Sequence, residues 1–188
     1  MANVRHILSD DEHINELTDN GTKQAQLTGE QLRIFAITNF FTSPVLRAKQ
    51  TAQIISEYIK IKPIVDKRLW ERHFMNMNGK PSLDGYWKFS DDKSYESWDD
   101  VRKRALDFID SIKKNKCTLA VTHHDVISAI IGSIYDLDEM QSYGVSPQYA
   151  SISVFEQSSR GAIKLLCSSL PKIPDRLIDK IPEEYLKK

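Results

Sequence analysis

The chain has 188 residues, 40% hydrophobic and 28% charged, which fits one ordinary globular domain with a real core and excludes a disordered chain. Lys plus Arg and Asp plus Glu stand at 26 each, so no global field favours nucleic acid or an anionic membrane. Any positive site must be local, and no apolar stretch is long enough to span a bilayer.

Residues 1–4 read as a very short strand. They run straight into Arg5-His6 and leave no room for a signal peptide, so a cytoplasmic location is expected. Residues 8–20 form a polar loop. Residues 22–36 carry Ala25, Leu27, Leu32, Phe35 and Ala36 at mixed spacings of three and four, which predicts an amphipathic helix. Residues 38–42, with Phe40-Phe41, read as a buried strand. Pro44 helps open a helix over 46–58, where its missing N–H costs nothing. Residues 63–66 are a candidate strand.

From 74 to 95 the pattern breaks. Gly79, Pro81, Gly85 and the aromatics Tyr86, Trp87 and Phe89 mark an excursion with little regular structure, placed over the mouth of any site. Helical spacing returns over 98–112. Residues 117–121 are a short continuous apolar run, the pattern of a strand covered on both faces. Residues 126–134 read as helix. Two β-rich runs, 150–155 and 162–167, flank Ser158-Ser159-Arg160-Gly161, which suits a tight turn. Residues 171–188 form a partly helical C-terminal extension of what is otherwise a single domain. Cys117 and Cys167 fall in apolar runs without CxxC spacing and read as buried structural thiols.

Strands alternating with helices predict an α/β protein: a three-layer α/β/α sandwich with a mostly parallel central sheet. In such sheets sites lie beyond the carboxyl ends of the strands. Arg5-His6, the 43–47 segment and Thr122-His123 all stand at that place in the pattern. Convergence would gather two arginines and two histidines in one small volume. The anion that best satisfies such a cluster is phosphate.

These residues resemble the histidine phosphatase superfamily, the phosphoglycerate-mutase-like proteins. Val4-Arg5-His6 looks like its RHG signature, and Leu17-Thr18-Asp19-Asn20-Gly21-Thr22-Lys23-Gln24-Ala25 is similar to its LTxxGxxQA helix start. Ser43-Pro44-Val45-Leu46-Arg47-Ala48-Lys49-Gln50-Thr51-Ala52 closely matches SPxxRAxQTA, and Leu119-Ala120-Val121-Thr122-His123 resembles the VSHGGVI block. Leu69-Trp70-Glu71-Arg72 and Tyr149-Ala150-Ser151-Ile152 give lesser matches. Together they cover most of 4–156. Ile7 stands where the signature has glycine, and His124-Asp125 replace two small residues. The loop from 8 to 16 is short, as in compact phosphatases of this superfamily.

The resemblance implies a phosphomonoester hydrolase that acts through a phosphohistidine. His6 is the implied nucleophile, since a covalent step divides a difficult reaction. Arg5 and Arg47 offer planar, bidentate donors to phosphate oxygens. His123 is expected to donate to an equatorial oxygen as an imidazolium held charged by the anion. Glu71 is the implied general acid, its pKa lifted by burial, with Trp70 as an apolar wall. Ser9, Ser43 and His124 are candidate substrate contacts. No cofactor or metal is implied. The expected partner is a small-molecule or protein phosphate ester, without nucleic acid or membrane. Three alternatives stand beside this reading: a mutase on the same fold, a metal phosphohydrolase using His123-His124-Asp125, and a catalytically weak phosphate-ester binding module.

Overall fold

The computed structural model describes residues 5–81, 95–112, 116–145 and 147–187. The strand expected over 1–4 and the aromatics Tyr86, Trp87 and Phe89 lie outside these residues.

The protein has an α/β fold with a parallel central sheet. Strand β1 (Ile37–Thr42) is its middle strand, between β2 (Ile64–Val65) and β3 (Cys117–Val121). Side chains alternate across a strand, so one strand serves two cores. Phe40 points into a cluster with helix α1 (Asp19–Leu32) and helix α2 (Leu46–Ile59), through Leu32, Ala52 and Ile55. Phe41 points the other way and meets Phe108 of helix α3 (Trp98–Ser111) edge-on, with centroids 5.4 Å apart. Helix α3 packs on α4 (His124–Tyr135) through Val101, Ala105, Val126 and Ala129. The helices therefore cover both faces of the sheet.

Helix α1 starts at Asp19, three residues before the expected position, because Thr18 Oγ1 accepts from the Gly21 N–H at 3.0 Å and caps it there. It ends at Leu32 and not at 36. Phe35 and Ala36 leave the helix to pair with the C-terminal segment, where the Ala36 N–H donates to the Tyr185 carbonyl at 2.8 Å. That segment is more than an appendage. It holds helix α6 (Asp175–Ile178), and Ile173, Leu177, Ile178, Ile181 and Leu186 belong to the core over α1 and α2. A five-residue helix, α5 (Glu139–Tyr143), follows α4; its Asp138–Gln141 capping box compensates for its length.

Strands β4 (Ile152–Gln157) and β5 (Ile163–Leu170) form a separate antiparallel hairpin. Its turn closes with the Ser158 N–H donating to the Ala162 carbonyl, and Gly161 sits at φ 91°, where a side chain would be strained. A cavity of about 1410 Å³ is lined by β3 on one side and β4 on the other. This corrects two expectations. The five residues of β3 are half-buried and not covered on both faces, and Cys117 and Cys167 are half-buried free thiols. The start of the 74–95 excursion also has more order than expected. Residues 75–77 form a 3-10 turn, Ile7 bridges Pro81, and the Leu8 N–H donates to the Lys80 carbonyl at 3.0 Å. Among the described residues no helix is long and apolar enough to cross a membrane.

Candidate active site

The register of the parallel sheet builds the site. Thr42 pairs with Val65 on one side and Val121 on the other, so three chain segments leave the sheet side by side. The Ser43 N–H donates to the Val121 carbonyl at 2.9 Å, and the Asp66 N–H donates to the Thr42 carbonyl at 2.9 Å. Ser43, the segment leading to Glu71, and His123 are thereby neighbours through backbone bonds alone. Arg47 follows in the first turn of α2, and His123 stands at the N-cap of α4. Two helix N-termini thus open at one end of the sheet, where they favour an anion.

The side chains close this arrangement. Arg47 Nη2 donates to His123 Nδ1 at 3.2 Å, and Arg47 Nη1 donates to the Ser9 carbonyl at 3.0 Å. Glu71 Oε2 lies 3.6 Å from both Arg47 Nη2 and His123 Nδ1. Since Nδ1 accepts from Arg47, the neutral imidazole carries its proton on Nε2 and donates to Ser43 Oγ at 2.8 Å.

Burial pushes the Glu71 carboxyl up to about 7; the nearby Asp125 charge adds to the rise, and Arg47 only partly opposes it. Glu71 is 8% exposed, and a 3.6 Å contact with one guanidinium does not replace lost hydration. Burial also holds His123 well below the usual histidine range, and the Arg47 and Arg104 charges act in the same direction. The imidazolium expected with an anion bound therefore needs that anion's charge to hold its proton. In the ligand-free protein His123 is neutral, and its contact with Glu71 is polar without being an ion pair.

The Glu71 segment hangs on α3. Arg104 Nη1 donates to the carbonyls of Arg68 and Trp70 at 2.8 and 2.6 Å, and Nη2 donates to that of Glu71 at 3.2 Å. The Glu96 carboxylate balances its charge, with Arg104 Nε at 2.7 Å from Oε1. Thr122 Oγ1 donates to the Leu69 carbonyl and ties the same segment to the end of β3. The Trp70 indole N–H donates to the Asp10 carbonyl at 2.7 Å. Asp10 also accepts from His73 Nδ1 and the Phe74 N–H, fastening the loop after His6 to the segment bearing Glu71.

Arg47, Glu71, His123 and Ser9 are brought together, and His6 and His124 line the same cavity. His6 has a positive φ of 51°. Arg5 is exposed and does not line the cavity. Ser43 is fully buried and also off the wall, so here its hydroxyl anchors His123 and does not face a ligand. Arg104 and Tyr143 are neighbours of the site that sequence reasoning did not single out, and Asp125 entered it only as part of a metal-ligand run. Arg104 gives no sequence signal, since a lone arginine on an amphipathic helix reads as solvated. Asp125 carried a hint in the unusual His123-His124-Asp125 run. Among the described residues, no group of three or more His, Cys, Asp or Glu is placed to hold a metal ion.

Known proteins fit this geometry. The chain is 33% identical over 163 residues to the 2,3-bisphosphoglycerate-dependent phosphoglycerate mutase of Thermoplasma acidophilum, covering 82% of this chain and 80% of that protein. It is 30% identical over 132 residues to the uncharacterized phosphatase PhoE of Bacillus subtilis, covering 67% and 68%. Among solved structures, Bacillus stearothermophilus YhfR superposes with a TM-score of 0.79 at 24% identity, covering 90% of this chain and 91% of that one. A mycobacterial glucosyl-3-phosphoglycerate phosphatase superposes with a TM-score of 0.74 at 20% identity, covering 90% and 93%. The sequence pattern of the histidine phosphatase superfamily (branch 1) itself runs through residues 2–168, and the chain belongs to that family.

Proposed function

We propose that the protein hydrolyses phosphomonoesters through a phosphohistidine on His6. One observation carries the reading: a buried glutamate with a pKa pushed up to about 7 lies against Arg47 and His123, on the wall of the cavity that His6 also lines. A general acid is most effective when its pKa lies near the working pH. Arg47, held by the Ser9 carbonyl and His123, is pre-organised to meet phosphoryl oxygens.

In the first step a ring nitrogen of His6 attacks phosphorus and the ester P–O bond breaks. Glu71 gives its proton to the departing alkoxide. In the second step water attacks the phosphohistidine and the N–P bond breaks. The Glu71 carboxylate takes the water proton, which restores both groups and releases alcohol and phosphate. The Nε2–H of His123 serves an equatorial oxygen by turning from Ser43 to the ligand. Arg5 adds a second guanidinium in this reading only by turning inward from its exposed position, and the substrate is a phosphate ester of a small molecule or protein.

The test is a trap. The protein is incubated with an aryl phosphate, quenched in alkali and digested, and the peptide bearing His6 is examined by mass spectrometry for added phosphate. Phosphate on His6, lost together with turnover in His6→Ala, supports the reading. Full turnover in His6→Ala ends it.

A mutase is the second reading, favoured by the 33% identity to a protein of that name. Supplying 3-phosphoglycerate with and without bisphosphoglycerate separates the two. Isomerisation faster than phosphate release would establish the mutase.

A further inference from the structure

Residues 8–16 follow His6 closely and form neither helix nor strand, so the place of this loop depends on what grips it. Much of the grip comes from the chain on either side of Glu71. Trp70, His73 and Phe74 flank Glu71, and all three donate to one residue of the loop, Asp10. The Asp10 carbonyl takes the Trp70 indole N–H at 2.7 Å. Its Oδ2 takes His73 Nδ1 at 3.1 Å and the Phe74 N–H at 3.3 Å. The rings of Trp70 and His73 lie against each other, with centroids 5.0 Å apart. Further on, the Gly79 N–H donates to the Leu8 carbonyl at 2.9 Å, so the same strand of chain returns to the residues beside the nucleophile.

Asp10 is suited to be the acceptor at this junction. Burial alone would push its carboxyl up, but the hydrogen bonds from His73, the Phe74 N–H and its own backbone, with the His73 charge, bring it below the ordinary aspartate value. A carboxylate only accepts, so His73 carries a proton on Nδ1, and bonds to an ionised acceptor are the stronger kind. The other anchors of the site set different distances. Arg104 ties the Glu71 segment to α3, and Arg47 ties the Ser9 carbonyl to α2. Asp10 joins the two segments to each other.

We infer that Asp10 is a positioning residue for proton delivery: its carboxylate clasps His73 and Phe74 so that Glu71 stands at the leaving oxygen of an ester attacked by His6. Asp10 touches neither the ester nor the phosphoryl group in this role. It acts through the separation of the nucleophile and the acid, where a displacement of about 1 Å can cost on the order of a hundredfold in rate. The inference rests on the hydrolytic reading proposed above.

The experiment compares kcat/KM on propyl phosphate and phenyl phosphate, whose leaving groups differ in their need for a proton. It uses the wild-type protein, Asp10→Ala, Asp10→Asn and His73→Phe. Asparagine keeps an oxygen acceptor at the same place. Phenylalanine keeps a ring against Trp70 and removes the donor, and it carries the test if Asp10→Ala does not fold. The inhibition constant of inorganic phosphate is measured for each protein, because the phosphate contacts themselves do not pass through Asp10.

Asp10→Ala is expected to lose about tenfold or more on propyl phosphate and less than about threefold on phenyl phosphate. His73→Phe should show the same split, and Asp10→Asn should stay within about threefold of the wild-type protein on both esters. Phosphate inhibition should change less than about threefold throughout. Equal losses on the two esters, or a weakening of phosphate inhibition as large as the loss in rate, would show a merely structural contact and overturn the inference. If the His6 trap succeeds and the losses are equal, only this inference falls. Full turnover in His6→Ala removes the hydrolytic reading and this inference with it.

Discussion

Arg47 and His123 are 76 residues apart in the chain, and their side chains meet at 3.2 Å. The contact fixes which nitrogen of a neutral imidazole bears the proton. It also gives Arg47 a partner that does not neutralise it, leaving its charge for an incoming phosphate.

Arg47→Lys should therefore be a poor exchange. A lysine can reach one of the Ser9 carbonyl, His123 and the phosphoryl oxygens, but its ammonium cannot span them as a planar fork does. The expected loss in kcat/KM is about a hundredfold or more on an aryl phosphate. A loss below about threefold would show that the guanidinium geometry is not used.

Glu71 makes a specific stability prediction. Its folded pKa of about 7 lies above the ordinary glutamate value of 4.5, so the folded state holds the proton more tightly. Its contribution to stability is fully present below pH 4.5 and is lost as pH rises to about 7. The size is on the order of 3–4 kcal/mol at about 1.4 kcal/mol per unit. Glu71→Gln should remove that slope, so the variant gains stability over the wild-type protein between pH 5 and pH 8 in urea melts. Parallel pH profiles for the two proteins would contradict the assignment. The same substitution should reduce hydrolysis of alkyl phosphates far more than that of aryl phosphates, because aryl oxide leaves without help.

Asp125→Asn should move the alkaline limb of kcat/KM to lower pH. The negative charge of Asp125 adds to the rise in Glu71, so its removal lets Glu71 ionise earlier and the acid is lost sooner. The measurement is a pH–rate profile with an alkyl phosphate. A limb that stays in place, or moves upward, would rule out this coupling.

Arg104→Lys should loosen the segment that carries Glu71. One guanidinium serves the carbonyls of Arg68, Trp70 and Glu71 and the Glu96 carboxylate, and an ammonium cannot reproduce that fork. The expected loss is about 2–3 kcal/mol of stability, the cost of leaving buried polar groups unpaired. An unchanged melting temperature would show that the segment stands without it.

Much of this was legible in the residues. The apolar runs at 38–42 and 117–121 became β1 and β3, and SPxxRAxQTA placed Arg47 at the head of α2 where it meets His123. Local chemistry fixed those positions: a proline before a helix and a continuous apolar stretch are strong signals. The misses come from partners far away in the chain. Helix α1 ends early because Ala36 is claimed by Tyr185, and no local pattern announces that pairing. Ser43 was a candidate phosphate contact only through the resemblance, and the sheet register buries it under His123. The neutral state of His123 depends on burial and on two arginines from other helices, which a linear reading does not sum.

The clasp between the C-terminal segment and the start of β1 bears on how the protein is born. The Ala36 N–H waits for the Tyr185 carbonyl, and the Lys187 N–H reaches back to that of Ile34. A ribosome makes Tyr185 and Lys187 long after Ile34 and Ala36, so the root of the central strand stays unfastened until that later segment has emerged. Until then the emerging chain carries a half-built sheet, with Phe40 and Ile37 only partly shielded.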